Sequence, residues 1–153
     1  MDEHMNKKNL TMIACSGIFL LSLGIISFCS GVDIKMITLY IRNQKFYVEI
    51  AETPEQHMVG LMYRDHIPND FAMLFVNTSE DDRSFWMKNC RVPLDIVFLD
   101  KNKRIINIHI NVPPCPNEPC PSYTSLKPAQ YILEFRGNRT KELKLKPGDT
   151  IFF

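Results

Sequence analysis

The stretch Asp95-Ile96-Val97-Phe98-Leu99-Asp100 decides the fold class. Four consecutive apolar side chains point alternately to the two sides of an extended chain, so a strand here is covered on both faces. The segment is expected to be a central, buried strand. Downstream, Asp100-Lys101-Asn102-Lys103 reads as a turn into Arg104–Ile110, where apolar residues alternate. Upstream, Val92-Pro93-Leu94 reads as a bend and Ser84–Met87 as a short strand. Asn77–Asp82 reads as a polar loop and Ala72–Val76 as a further strand.

The same period of two runs through Lys35–Ile41 and Lys45–Ala51. Phe46, Val48 and Ile50 share one side of the second segment, and Arg42-Asn43-Gln44 is the connection, so the two predict a hairpin. One helix is signalled. Thr53 is an N-cap, Pro54 takes the first helical position and Gln56 completes a capping box. Its expected extent is to about Tyr63, with Met58, Leu61 and Met62 on one face. Beyond the middle of the chain, Gln130–Phe135, Lys141–Leu145 and Thr150–Phe153 read as the last strands, punctuated by Gly137 and Pro147-Gly148. Many short strands separated by turn signals give a mainly β fold: a compact β-sandwich or barrel-like domain with one short α-helix.

The N-terminus has a different character. Lys7 and Lys8 precede Leu10–Cys29, 20 residues without a charge. As a helix this run spans roughly 30 Å, the hydrocarbon thickness of a bilayer. Residues 1–32 are therefore expected to be an N-terminal apolar helix, transmembrane or signal, and residues 33–153 a β-rich domain on the far side of the membrane. The run would serve as an uncleaved anchor, as a signal lipid-modified at Cys29, or as a signal cleaved near Gly31. All three fates export the domain and make the membrane a partner through residues 10–29. The formal net charge of +1 speaks against nucleic acid, which needs a dense basic face.

Three cysteines fall in the domain. Cys115 and Cys120 lie in Pro113-Pro114-Cys115-Pro116-Asn117-Glu118-Pro119-Cys120-Pro121, which is too rich in proline for helix or regular strand. A structural disulfide between them suits an exported domain. A redox pair is the lesser reading, since four residues rather than two separate the cysteines, and a metal site would need further ligands. Cys90 is expected to be a buried free thiol.

Taken in order, the residues Ala51-Glu52-Thr53-Pro54-Glu55-Gln56, Gly60-Leu61-Met62-Tyr63-Arg64, Met73-Leu74-Phe75-Val76, Phe85-Trp86-Met87-Lys88-Asn89 and Pro93-Leu94-Asp95-Ile96 with Phe98 resemble the family called domain of unknown function 192, also known as uncharacterised protein family 0127. The resemblance runs from about Phe46 to Phe153 and takes in Pro114-Cys115, Pro119-Cys120-Pro121 with Tyr123, Leu133-Glu134 and Gly148-Asp149. It implies a compact, β-dominated fold with a short helix, often behind an export signal, and no established reaction. Two departures stand out: Cys90 where the family usually has Thr, and Ala72 where it usually has Gly.

The family match marks Arg64, Trp86, Asn89 and Asp95 as non-aliphatic residues among hydrophobic ones. Asp95 opens a buried strand and needs a partner, for which Arg64 has the planar fork. The pair is read either as a structural ion pair or, with Trp86 and Asn89, as the rim of a pocket for a small polar or anionic ligand. The expected function is that of an extracytoplasmic, membrane-tethered binding or accessory domain, with a small polar ligand or a protein partner and no cofactor. The alternatives are a small hydrolase using Asp95 with Arg64, or a soft-metal protein using Met58, Met62, Met73 and Met87 with His and Cys. His57, His66 and His109 lack metal-ligand spacing, and no nucleophile motif is present.

Overall fold

The computed structural model describes residues 34–153. The anchor expected over residues 10–29 and the lipid site at Cys29 lie outside the described residues, among which no helix is long and apolar enough to cross a membrane.

Strands β1 (Lys35–Ile41) and β2 (Gln44–Ala51) form the expected hairpin, with Ile41 paired to Gln44. The turn is only Arg42 and Asn43, at φ 50° and 63°. Two left-handed residues match the twist of the flanking strands. Helix α1 (Pro54–Val59) follows with both capping-box bonds made. It stops short of the expected Tyr63 because Gly60 turns the chain out at φ 46°; a Cβ there would also lie 3.2 Å from the Phe75 ring. The α1 connection returns the chain so that β3 (Phe71–Asp81) runs parallel to β2, as a helical crossover allows.

β4 (Ser84–Trp86), β5 (Leu94–Leu99), β6 (Ile105–Val112), β7 (Ser122–Thr124) and β8 (Ala129–Arg136) complete the strands. Six of them make one sheet in the order β1-β2-β3-β8-β5-β6, and β4 pairs with β7 in a ribbon. The fold is mainly β, as expected, with one open mixed six-stranded sheet, one two-stranded ribbon and the short helix α1. Every residue of β5 is buried as predicted, although β5 is fifth of six rather than central.

Each sheet face has its own core. Val48, Ile50, Leu74, Val97, Leu99, Leu133 and Phe135 fill the first, and Met73, Phe75, Ile96, Phe98 and Ile132 the second. Alternation along β3, β5 and β8 makes this division. The ribbon covers the second face: Phe85 of β4 meets the rings of Phe75 and Phe98 edge-on, at 5.0 and 6.0 Å.

Several expected elements are different. Asn77–Asp82 is not a loop; β3 continues through it to Asp81 across an irregularity in its pairing with β8. Lys141–Leu145 is not a strand: Arg139–Glu142 is a single helical turn, α2. Thr150–Phe153 contributes one isolated bridge, Thr150 to Arg104. There, Ile105 N donates to Asp149 O at 2.8 Å and Ile151 N to Lys103 O at 3.0 Å.

Cys115 and Cys120 are joined by a disulfide. Its loop is fastened to the exit of β4, since Met87 O accepts from both Cys115 N and Cys90 N at 3.2 Å, and Lys88 pairs with Glu118. Closing so short a loop stabilises the fold by about 2 kcal/mol in the chain-entropy model. Reduction, or Cys115→Ser with Cys120→Ser, is expected to lower stability by that amount in denaturant titrations while leaving the chain folded. An unchanged midpoint would show that the loop is equally constrained without the bond.

Candidate functional site

The second face carries a row of side chains in register: Glu49 of β2, Met73 of β3, Glu134 of β8 and Ile96 of β5. Glu134 is 4 % exposed, and among the described residues no protein group is hydrogen-bonded to its carboxyl. It lines a cavity of about 30 Å³ with Leu61, Met62, Phe75, Phe85 and Trp86 among the walls. That volume admits one small group or a water. Burial pushes the Glu134 carboxyl up to about 8, against the pull of the Arg64 charge, because the desolvated carboxylate is disfavoured. Wider grooves of about 580 and 560 Å³ open elsewhere, but neither has a buried ionisable side chain in its lining.

The rim of the cavity is apolar and open. Met58 is 70 % exposed, Trp86 is 49 % exposed, and Val59 and Tyr63 also face solvent nearby in the chain. The short turn of α1 and the sharp exit at Gly60 bring Met58, Val59 and Met62 to one side, and the β4 end brings Trp86. The Lys88 ammonium lies 5.2 Å from the Trp86 ring centroid. Cys90 also lines the cavity and is free, as expected. It is half-buried rather than fully buried, and burial, with the Glu134 charge second, pushes its thiol up to about 12. A thiol so disposed stays protonated and is a poor nucleophile. His57 is turned into the structure, with Nε2 bonded to Ala51 O at 2.9 Å.

The structure separates the four residues singled out from the sequence. Arg64 does not reach Asp95. Its Nη2 donates to Glu49 Oε2 at 2.7 Å, and its guanidinium sits 5.2 Å from the Phe71 ring centroid. Asn89 is at φ 57°, a conformation that asparagine tolerates. Its carbonyl accepts from Tyr63 N at 2.9 Å and its Nδ2 contacts Met62 Sδ at 3.7 Å, so it fixes the loop that forms one wall. Arg64, Trp86 and Asn89 therefore belong to the cavity side.

Asp95 belongs to the first face. Oδ1 accepts from Asn111 N at 2.7 Å and Asn138 N at 2.8 Å; Oδ2 accepts from Thr140 N at 2.7 Å and Thr140 Oγ1 at 2.6 Å. Asn138, the residue at the α2 N-cap position, makes no side-chain cap bond. Asp95 supplies that cap from another strand and satisfies orphan N–H groups of the turn.

The matching family model spans residues 37–153, more than half of the chain, and describes an uncharacterised group, DUF192. The chain belongs to DUF192. No curated protein matches it. Two solved structures are similar to this DUF192 chain. One, from Sinorhizobium meliloti 1021 and described as a candidate transcription regulator, is 31 % identical, with a TM-score of 0.69 over 78 % of this chain and 92 % of that one. The other, from Novosphingobium aromaticivorans DSM 12444 and of unknown function, is 28 % identical, with a TM-score of 0.71 over 86 % and 94 %. The resemblance read from the ordered sequence segments is thereby confirmed. In this DUF192 domain, Glu134 is the site residue that the sequence reading did not single out.

Proposed function

We propose that this DUF192 domain is an extracytoplasmic binding domain, tethered to the membrane through residues 10–29, and that its ligand enters the Glu134 cavity past Trp86. One observation carries the binding reading: a buried carboxyl without a protein hydrogen-bond partner lies at the floor of a cavity whose rim is exposed and apolar. Buried polar groups are usually paired; among the described residues every side-chain polar atom fully shielded from solvent has a partner, so the unpartnered Glu134 oxygens keep a little solvent access. The Cys115–Cys120 disulfide supports an oxidising compartment. Arg64 and Asn89 hold the rim, and Trp86 provides its contact surface.

The hydrolase alternative loses its support because both Asp95 oxygens are engaged by protein donors. For a soft metal, Met73 and Met87 are packed in the core and Met58 points to solvent. No group of three or more His, Cys, Asp and Glu is placed to hold a metal among the described residues.

The test is a thermal-shift panel of cationic, neutral and anionic small solutes on the full chain in mild detergent. At least one class is expected to raise the melting temperature, and Trp86→Ala to abolish that shift while changing stability itself by less than about 1 kcal/mol. A panel without any shift would remove the binding reading. Protease added outside intact cells is expected to cut the domain; protection behind the inner membrane would remove the compartment.

A further inference from the structure

Resting on that reading, we infer that the Glu134 cavity is a receptor for a primary alkylammonium group, with the hydrocarbon chain lying across Met58, Val59 and Trp86. The geometry selects the head group. Among the described residues Glu134 is the only acidic one in the cavity lining, and none of them donates a hydrogen bond to its carboxyl. An anion would face this carboxyl, whereas an ammonium would pair with it. The walls include three aromatic rings, Phe75, Phe85 and Trp86, whose faces attract cations. At about 30 Å³ for the centre of a water-sized group, the cavity has room for an –NH₃⁺.

The basic residues nearby do not compete for the carboxyl as hydrogen-bond donors. Arg64 is engaged by Glu49 at 2.7 Å and Lys88 by Glu118. Lys88 already shows that the mouth accommodates an ammonium, since its Nζ lies 5.2 Å from the Trp86 centroid. The exposed methionine and valine beside the tryptophan give an alkyl chain a surface to cover.

The charge state fits the same chemistry. Glu134 must ionise to pair with the guest, so affinity should rise as pH approaches and passes about 8, while an alkylammonium keeps its proton to about pH 10. The titratable and charged groups facing or lining this site are Arg64, which follows α1, Glu49 of β2, which pairs with Arg64, His57 of α1, and Lys88 and Cys90, which follow β4. Of these, Cys90 stays neutral throughout the range because its thiol is held at about 12.

Trp86 is the chain's single tryptophan, so its fluorescence reports the mouth directly. The experiment titrates the full chain in mild detergent at pH 8.5 with n-butylammonium, 1-butanol, butyrate and tetramethylammonium, all at constant ionic strength. Butylammonium is expected to give a saturable change in Trp86 emission, and the other three none. Glu134→Gln should weaken the response about tenfold or more, the loss of a charge-assisted bond. Lys88→Met, at the cavity mouth, should strengthen it by removing the resident cation. N-acetyl-lysine N-methylamide in parallel tells a lysyl side chain from a free amine as the natural source. Saturable binding of butanol or butyrate in place of the amine would overturn the ammonium assignment and leave the binding domain standing. So would an undiminished response in Glu134→Gln, or a weaker one in Lys88→Met. If no probe binds, both readings fall.

Discussion

Asp95→Ala is expected to destabilise the domain by about 4 kcal/mol, from the loss of cap bonds at a buried site. The substitution strips partners from three backbone N–H groups and one hydroxyl at once. Asp95 and Thr140 are both fully buried, so water does not readily replace the carboxylate. An unpaired buried donor costs about 1–3 kcal/mol, and partial relaxation of α2 reduces the sum below four full penalties. For a domain of this size the melting temperature should fall by roughly 15 °C. Asp95→Asn should also be severe, because its amide NH₂ faces donors where the second oxygen stood. Thr140→Val removes only the hydroxyl and should cost about 1 kcal/mol. Thermal and urea unfolding check all three. An Asp95→Ala protein with the wild-type midpoint would remove the capping role. One that keeps its stability but loses ligand response at Trp86 would place Asp95 in the binding site after all.

The same residue shows where sequence reading reaches and where it stops. That Asp95 opens a doubly buried strand was legible, because β5 writes its burial in four adjacent apolar residues. The identity of its partner was not, since the donors lie 16 to 45 positions away. Arg64 was the charge-based choice, but backbone N–H groups carry no sequence signature, and they won. α2 was misread for the same reason. Lys141-Glu142-Leu143-Lys144-Leu145 alternates as a strand would, yet a remote carboxylate caps a helical turn there and buries Thr140 and Leu143. By contrast, α1 was legible because its capping bonds close within three residues, Thr53 to Gln56 and back.

Glu134 carried the same signal as Asp95: a single carboxylate among Tyr131, Ile132, Leu133 and Phe135, in a strand apolar on both faces. Period two places it beside Ile132 on the second face, where a charge has no business without a partner. What the sequence lacked was the cavity. That depends on Gly60 letting the chain pass close to the Phe75 ring, on Asn89 holding Met62, and on the ribbon setting Trp86 at the mouth. None of these contacts is local to β8.

The second large effect is the pH dependence that Glu134 imposes on stability. Burial pushes the folded carboxyl up to about 8, above its ordinary value of 4.5. Between these values the native state keeps a proton that the unfolded chain has released. Stability from this group is therefore complete below about 4.5, falls as pH rises through the window, and levels off above about 8. At 1.36 kcal/mol per unit, the whole excursion is roughly 3–5 kcal/mol. Glu134→Gln resembles the protonated side chain and cannot ionise. It should match wild type near pH 4.5 and exceed it by that margin near pH 8.5, with a correspondingly flatter curve. All other charged groups are present in both proteins, so the difference between the two curves reports Glu134. The Cys90 thiol supplies an independent reading, because part of its elevation comes from the Glu134 charge. In Glu134→Gln that part is gone, and alkylation of Cys90 at high pH should quicken. Parallel stability curves for the two proteins would mean that the carboxyl is solvated in the folded state. The cavity would then be an open, watered cleft rather than a desolvated receptor, and the chemistry assigned to its floor would fail with it.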